Sequence, residues 1–139
     1  MLERDEGRRY VAYPDPLTGG APWTIGIGHT GPEVHQDTIW TPEQVDQAFA
    51  RDVSNATAQC RKNFDPWFSQ LTEARQAVLI AMTFQLGIGG LLGFKQTLAA
   101  VRDEHYALAA DRMKDSDWAR QTPKRAMRMA AQMASGDWA

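Results

Sequence analysis

The sequence predicts an α+β fold that is mostly helical. Turn-forming residues separate two short stretches of strand character near the N-terminus, which indicates a β-hairpin with a long loop. From Thr41 onward, apolar residues recur at steps of three and four, the period of an amphipathic helix. We therefore expect a single domain made of a small β-containing lobe (residues 1–40), a connecting helix (41–63) and an all-helical lobe (64–139).

Size and composition fit such a domain. The chain has 139 residues, of which 43% are hydrophobic and 23% charged. The longest apolar run, "AVLIAM", is far shorter than the roughly 20 residues that cross a bilayer, so no membrane insertion is expected. The first residues contain no apolar signal region, so we expect that the chain does not export itself.

Cysteine and histidine usage argues against disulfides and metals. Cys60 is the only cysteine, so no intramolecular disulfide can form, as suits folding in a reducing compartment. His29, His35 and His105 are scattered without the spacing of metal ligands. We expect neither a metal nor a cofactor.

The first lobe begins with a short helix. Leu2–Glu6 has helical character, and Gly7 is the residue type favoured just past a helix end. Tyr10–Ala12 and Trp23–Ile27 are predicted strands, joined by the turn-rich "PDPLTGGAP". The two glycines of "TIGIG" indicate close approach of the backbone to a neighbouring group.

The helical part has clear boundary signals. Thr41 is a good N-cap, Pro42 suits the first helical position, and Gln44 completes a capping box. A second long helix begins near Thr72, is apolar on most faces and ends at Gly87. "GIGGLLGF" then predicts a glycine-rich turn, which lacks the preceding strand and the GK[ST] ending of a phosphate-binding loop.

Three helices and a turn are predicted for the rest of the chain. The last helix is capped by Thr122 and closed by Gly136. The predicted ranges are Phe94–Arg102, Tyr106–Met113, a turn near Ser116–Arg120, and Pro123–Ser135.

Charge is distributed unevenly along the chain. Residues 1–60 carry four basic and nine acidic side chains, whereas residues 61–139 carry eleven basic and eight acidic ones. The segment from Trp118 to Gln132 contains four basic side chains and no acid. Two readings stay open: a patch that attracts an anionic polymer, or a solvated helix face. Because the whole chain is mildly acidic, a nucleic-acid partner is not expected.

Glu6 occupies an unusual position for a surface acid. The C-terminus of a helix carries partial negative charge, which disfavours an ionised carboxylate there. A carboxyl that holds its proton is what a general acid requires. The alternative is a solvent-exposed side chain whose interaction with the dipole is screened. The neighbouring Asp5 points about 100° away and is expected to be a solvated surface charge.

Asp15 and Thr24 are the other candidates for chemistry. Asp15 stands between Pro14 and Pro16, so its backbone is restrained, as a site requires. The same pattern is typical of an ordinary Asx turn. Thr24 begins the second predicted strand, where its hydroxyl can orient a water molecule or simply be a strand threonine.

Three blocks of the sequence resemble the T-even phage lysozymes. They are "LERDEGRRYVAYPDP" followed by "WTIGIGHT", then "MTFQLGIGGLLGF", and finally "WARQTPKRAMRM" with "GDW" near the end. They occur in the order of that family and span nearly the whole chain. The resemblance implies a lysozyme-like fold and a muramidase that hydrolyses the β-1,4 bond between N-acetylmuramic acid and N-acetylglucosamine of peptidoglycan.

The resemblance also implies an inverting catalytic set. Eight residues separate Glu6 from Asp15, as in the family, and Thr24 matches the family's catalytic threonine. Glu6 would be the general acid, Asp15 would stabilise positive charge on the sugar and help hold the water, and Thr24 would orient that water. The segment between Asp15 and Thr24 is three residues longer than in the T-even pattern.

Further positions follow from the same resemblance. His29 and Asp52 match a buried structural ion pair, and Arg125 matches an arginine that pairs with the catalytic glutamate. Arg112 replaces a sugar-contacting asparagine of the family. The substrate-binding residues implied are Thr30, Phe84, Gln85, Thr97, Arg112 and Arg125.

These features together predict a phage or prophage endolysin. We expect a monomer that waits in the host bacterial cytoplasm, needs membrane permeabilisation by a holin-type partner, and then acts on peptidoglycan in the periplasm. Two alternatives stay open. One is a lytic transglycosylase, which needs one acid and no positioned water. The other is a non-catalytic wall-binding module.

Overall fold

The computed structural model describes residues 1–139 and confirms the predicted α+β fold. Two compact units are present, a first unit of Met1–Asn55 and a second unit of Ala56–Ala139. The elements in chain order are α1 (Leu2–Glu6), β1 (Arg9–Tyr13), β2 (Thr24–Gly26), β3 (His29–Thr30), α2 (Pro42–Phe64), α3 (Trp67–Gln70), α4 (Glu73–Leu92), α5 (Lys95–Arg102), α6 (Tyr106–Lys114), α7 (Asp117–Gln121) and α8 (Pro123–Ser135).

The first unit contains a three-stranded antiparallel sheet in the order β1-β2-β3. The predicted hairpin is β1 with β2, in which Tyr13 lies opposite Thr24. On its other side, β1 is joined to the segment before α2, where the Trp40 N–H donates to the Tyr10 carbonyl at 2.9 Å. The third strand was not predicted, because two residues are too few to show the alternation that marks a strand.

The interior of the first unit is small and partly aromatic. Ala12, Ile25 and Val34 are buried, with Trp23 and Trp40 packed against them. A Cβ on residue 26 would lie 3.4 Å from the Trp40 ring. The close approach of the backbone to a neighbouring group, predicted from "TIGIG", is therefore confirmed at Gly26.

The start of α2 is the predicted capping box. The Thr41 N–H donates to Gln44 Oε1 at 2.8 Å, and the Gln44 N–H donates to Thr41 Oγ1 at 3.2 Å. Two otherwise unpaired backbone donors are satisfied in this way. The boundary between the two units falls within α2.

In the second unit, α4 is kinked at Gly87, where φ is 74° and ψ 161°. The regular helix thus ends where predicted, but the glycine-rich turn expected after it is wrong. Residues 88–92 form another helical turn, and the chain leaves the helix only at Gly93. By length and hydropathy, α4 is the one helix that suits a membrane span. Seven of its residues, including Val78, Leu79 and Met82, are buried in the second unit, as in a core helix.

The C-terminal end of α8 is held by the start of α4. Arg75 donates from Nε to the Met133 carbonyl at 2.8 Å and from Nη2 to the Ala134 carbonyl at 3.0 Å. Its guanidinium carbon also lies 3.5 Å from the centroid of the Tyr106 ring. The last carbonyls of a helix have no hydrogen-bond partners within the helix. Arg75 donates the hydrogen bonds that these carbonyls would otherwise lack.

One predicted cap is wrong. Gly136 closes α8 in the left-handed conformation (φ 78°), as expected, but Thr122 does not cap the helix with its side chain. The Thr122 hydroxyl instead donates to the Trp118 carbonyl at 2.9 Å, at the end of α7. With Pro123 at the first helical position, one fewer backbone N–H needs a cap.

A histidine with two carboxylate partners joins β3 to α2. Nδ1 of His29 lies 2.6 Å from Oδ2 of Asp52, and Nε2 lies 2.6 Å from Oε1 of Glu33. The pair with Asp52 confirms the expectation, whereas Glu33 was not predicted. Burial lowers the pKa of His29, but the hydrogen bonds to Glu33 and Asp52 outweigh it, so the net pKa is raised. The hydrogen bond with His29 lowers the pKa of Glu33.

We expect Arg75→Ala to lower the free energy of unfolding by about 2 kcal/mol, since it removes two hydrogen bonds from a charged group and a cation–π contact. Urea unfolding followed by circular dichroism measures this. Arg75→Lys should recover little of the lost stability, because an ammonium group does not reproduce the two parallel N–H donors of the guanidinium. The control is Arg102→Ala, which breaks only an exposed pair with Asp103 and should leave stability almost unchanged. Equal effects at residues 75 and 102 would contradict this account.

The His29 cluster should make stability depend on pH. Because the pKa of His29 is raised on folding, its contribution is complete below the unfolded value near 6.5 and is lost as pH rises through the folded value. The Glu33 contribution is present above its ordinary pKa of 4.5 and is lost as pH falls through its lowered value. The cluster therefore stabilises most between about pH 5 and 6.5.

Glu33→Gln tests the cluster. The pKa of His29, followed by NMR of its ring protons, should fall towards its ordinary value. Stability should decrease by less than about 1 kcal/mol near pH 6, because Glu33 is more than half exposed, and by less still at pH 9. A His29 pKa that does not change on this substitution would show that Glu33 does not stabilise the imidazolium.

Candidate functional site

Glu6 is the last residue of α1 and packs against a glycine in the turn between β2 and β3. The helix ends because Gly7 turns away with φ 74°, while its N–H still donates to the Glu3 carbonyl. Glu6 is half-buried, and its Oε1 atom is shielded from solvent. Gly28, in the turn between β2 and β3, has φ 68°, and a Cβ there would lie 2.9 Å from Glu6 Oε2. The Glu6 carboxylate therefore packs directly against the backbone of Gly28, in space that the side chain of any other residue would occupy.

A row of three hydroxyl side chains crosses the sheet beside this acid. Thr24 lies opposite Tyr13 in one pair of strands and opposite Thr30 in the next. Residues directly opposite one another project to the same face of a sheet. The predicted Thr24 and Thr30 are thus neighbours, with Thr24 half-buried and Thr30 exposed.

Tyr13 completes the row and was not predicted. Burial and the negative charge of Glu6 raise the pKa of Tyr13, and the Arg9 charge and the nearby Thr24 side chain oppose this only partly. The Arg9 guanidinium carbon lies 5.7 Å from the centroid of the Tyr13 ring. Tyr13 therefore lies opposite Thr24 in the sheet and is close enough to Glu6 for its pKa to respond to that charge.

Asp15 is anchored in its own loop. The Asp15 N–H donates to the Gly20 carbonyl at 2.9 Å, and the Gly19 N–H donates to the Asp15 carbonyl at 2.8 Å. Oδ1 of Asp15 accepts from the Leu17 N–H at 3.1 Å, so the Asx turn weighed above is present. The longer loop closes on itself in this way and leaves Leu17 93% exposed.

The expectation that Asp5 is a solvated charge is wrong. Its side chain is only 4% exposed, and Arg4 Nε lies 4.0 Å from its Oδ1. The 100° step between adjacent helical residues separates the directions of Asp5 and Glu6, but it does not place either of them in solvent.

The second unit contains a cavity of about 620 Å³ lined by the end of α4 and by α5, α6 and α7. Two of the predicted substrate-binding residues line it: Thr97, which is 3% exposed, and Arg112, which is exposed. Phe94 and Trp118 form an aromatic wall, with ring centroids 6.1 Å apart in an edge-to-face arrangement. Thr97 and Arg112 therefore line the same cavity.

Three other predicted residues of this unit do not line the cavity. Gln85 lies behind its wall, where Oε1 accepts from Trp118 Nε1 at 2.9 Å. Phe84 on α4 and Arg125 on α8 are half-buried. No local pattern indicates that Gln85 binds the cavity wall, because that contact joins residues 33 apart in the chain.

The charges around the cavity are mixed. Lys95 and Arg112 line it together with Asp115 and Asp117. Arg120, from the acid-free segment, donates from Nη2 to Asp117 Oδ1 at 2.7 Å. Of the two readings left open for that segment, this pairing favours a solvated helix face, because acids that immediately precede the segment pair with Arg120.

Comparison with known proteins shows the family to which the chain belongs. The phage lysozyme family model matches residues 3–131. Probable T4-type lysozyme 1 of Dictyostelium discoideum is 31% identical over 160 aligned positions, which cover 98% of this chain and 92% of that protein.

Two phage proteins match over smaller parts of their own length. Pre-baseplate central spike protein Gp5 of Enterobacteria phage T4 is 29% identical, and the match covers 99% of this chain and 27% of that protein. Peptidoglycan hydrolase gp36 of Pseudomonas phage phiKMV is 30% identical over 96% of this chain and 14% of its own length. Because the family model matches nearly the whole chain, this chain belongs to the phage lysozyme family and is a glycoside hydrolase.

Proposed function

We propose that this peptidoglycan hydrolase cleaves the β-1,4 bond between N-acetylmuramic acid and N-acetylglucosamine with inversion of configuration. The observation that supports this most strongly is the placement of Glu6. Its carboxylate is half-buried against Gly28, beside a row of hydroxyls that can bind water.

In the proposed reaction, Glu6 donates its proton to the glycosidic oxygen. The bond from C1 of the muramic acid to that oxygen breaks, and its electron pair leaves with the oxygen. Water adds to C1 from the opposite face of the ring and gives up a proton to Asp15, so configuration inverts in one displacement. Thr24 orients the water by a hydrogen bond. Asp15 also stabilises the positive charge that develops on the sugar.

The cavity in the second unit supports binding of the polymer. Sugar rings and their substituents stack on aromatic side chains and hydrogen-bond to polar ones, and Phe94, Trp118 and Thr97 supply both. Arg112 adds a cation where peptidoglycan carries carboxylates. Thr30 on β3, with Phe84, Gln85 and Arg125, completes the proposed set of substrate-binding residues.

The proposed biological role is that of an endolysin. The enzyme would be a monomer held in the host cytoplasm until a holin-type partner permeabilises the membrane, and would then degrade the wall. Its family membership supports action on the bacterial wall.

Glu6→Gln should lower the rate of peptidoglycan hydrolysis by at least about 100-fold, because the amide has no proton to donate. Turbidity loss of a cell-wall suspension measures the rate. Glu43→Gln, at an exposed position in the first turn of α2, is the control and should retain full activity. Mass spectrometry of the products should show hydrated muramic acid ends. Anhydro ends would indicate a transglycosylase, and full activity of Glu6→Gln would remove Glu6 from the mechanism.

Asp15→Asn removes the negative charge of this side chain but keeps its hydrogen bond within the loop, so it distinguishes a catalytic role from a structural one. The amide oxygen of asparagine can still accept from the Leu17 N–H, so the loop and the melting temperature should be preserved. We expect hydrolysis to fall about 100-fold, since the base and the stabilising charge are lost. Asp37→Asn, an exposed site with φ 72°, is a matched control. Near-wild-type hydrolysis by Asp15→Asn would limit Asp15 to its turn.

Gly28→Ala tests whether activity depends on the position of the Glu6 carboxylate against the backbone of Gly28. The added methyl group would lie 2.9 Å from Glu6 Oε2, the movable end of a side chain, so the carboxylate should shift while the fold persists. A displacement of this size should lower hydrolysis by about 10- to 100-fold. Positive φ should also reduce stability by about 1–2 kcal/mol.

The control for Gly28→Ala is Gly136→Ala. Gly136 has a similar φ of 78°, and a methyl group there would lie 2.9 Å from the Arg75 guanidinium, outside the proposed site. It should lose comparable stability and keep most of its activity. If both variants lose activity equally, the effect comes from backbone strain and not from the position of Glu6.

A further inference from the structure

Thr97 is a buried polar residue whose hydroxyl has no hydrogen-bond partner in the protein. Three polar residues are buried as a whole: Thr83, Gln132 and Thr97. Thr83 donates to the Leu79 carbonyl at 2.9 Å, and Gln132 donates to the Ala74 carbonyl at 2.7 Å. Thr97 makes no such bond, although it is only 3% exposed and lines the cavity of the second unit. Since an unpaired buried hydroxyl costs free energy, this one is available to a ligand in the cavity.

The same residue lies in the first turn of α5, and the N-terminus of this helix faces the cavity. Phe94 provides no side-chain cap, and the Leu98 N–H donates to the Phe94 carbonyl at 2.9 Å. The N–H groups of Lys95, Gln96 and Thr97 precede this bond and have no acceptor within the helix. All three residues line the cavity. Free N–H groups at the positive end of a helix dipole favour a bound anion.

Two cations of the cavity wall have no acid partner. Lys95 on α5 and Arg112 on α6 line the cavity, and neither forms an ion pair. The two acids of the wall do have a partner: Asp117 lies 2.7 Å and Asp115 lies 3.8 Å from the guanidinium of Arg120, which is not a wall residue. The charge that remains without a partner in the cavity is therefore positive.

A carboxylate is the anion that the substrate of this enzyme offers. The lactyl carboxyl group of muramic acid forms the amide bond to the peptide, so the free carboxylates of peptidoglycan belong to that peptide. A carboxylate has two oxygens, so it can accept from the Thr97 hydroxyl and from the Arg112 guanidinium together. A neutral sugar, the contact that the resemblance implied for Thr97 and Arg112, would leave both cations of the wall without a counter-charge.

We propose that the N-terminus of α5, with Thr97, Lys95 and Arg112, forms a subsite for a free carboxylate of the peptide borne by muramic acid. This inference rests on the proposed function, in which the cavity binds the polymer. It makes the enzyme selective for walls whose peptide carboxylates are free over walls in which they are amidated.

Amidation of the substrate tests the subsite by binding alone. Titration calorimetry with Glu6→Gln compares soluble glycan oligomers of equal length: one with peptides that carry free carboxylates, one with those carboxylates converted to carboxamides, and one without peptide. The first should bind at least about 10-fold more tightly than either of the others, the effect of a charge-assisted hydrogen bond. Equal affinity for the first two would overturn the proposal. Equal affinity for the first and third would also overturn it, because the carboxylate would then be the lactyl group.

Two substitutions show whether the named side chains carry this preference. Thr97→Val keeps the shape of the side chain and removes the hydroxyl, and Arg112→Gln removes the cation. Each should weaken binding of the free-carboxylate oligomer about 10-fold and that of the amidated oligomer less than about 3-fold. Arg102→Gln, at the other end of α5, is the matched control and should change neither, since its guanidinium pairs with Asp103 outside the cavity. Equal losses for both oligomers would overturn the proposal, and the melting temperature of each variant checks its folding.

Hydrolysis separates failure of this inference from failure of the proposed function. The wild-type enzyme should cleave the amidated oligomer with a raised KM and an unchanged kcat, because the subsite holds the peptide and not the glycosidic bond. If Glu6→Gln keeps full activity while the KM preference for free carboxylates persists, the acid is wrongly assigned and the subsite stands. If Glu6→Gln is inactive and the wild-type enzyme shows no KM preference, only the subsite is wrong.

Discussion

The contact between the Glu6 carboxylate and Gly28 is the constraint on which the rest of the site depends. A five-residue helix is too short to be stable by itself, so its position is set by what surrounds it. Arg8 binds Glu3 of α1 at 3.0 Å and Asp46 of α2 at 2.8 Å, and so ties the helix to the rest of the first unit. Gly28 then lets the acid lie against the sheet. A side chain at residue 28 would occupy the position of the carboxylate.

The sheet places further polar side chains beside the Glu6 carboxylate. The register of β1, β2 and β3 aligns Tyr13, Thr24 and Thr30, so hydroxyls stand on one face beside an acid. In this turn, residues that position the acid and residues that pack in the interior are close together in the chain. Gly26, two residues from Gly28, packs on Trp40 of the interior, which fixes the same turn from the other side. Small changes in this turn should therefore affect activity more than stability.

Local signals in the sequence predicted much of the fold, because capping and glycine chemistry act over a few residues. The capping box at Thr41 and the helix end at Gly7 are examples. Features that depend on packing were not accessible. The turn predicted from "GIGGLLGF" became helix, Asp5 proved to be buried, and Tyr13 became part of the site only through strand register. The catalytic roles came from resemblance, since position alone left Glu6, Asp15 and Thr24 ambiguous.

The central claim is that Glu6 protonates the leaving oxygen while a water held by Asp15 and Thr24 attacks C1 from the opposite face. The most direct test is the configuration of the new reducing end, observed by proton NMR in the first minutes of hydrolysis, before mutarotation equilibrates the anomers. Inversion of a β-linkage predicts that the α anomer appears first. Initial formation of the β anomer would contradict the account, because it requires a covalent intermediate and not a positioned water.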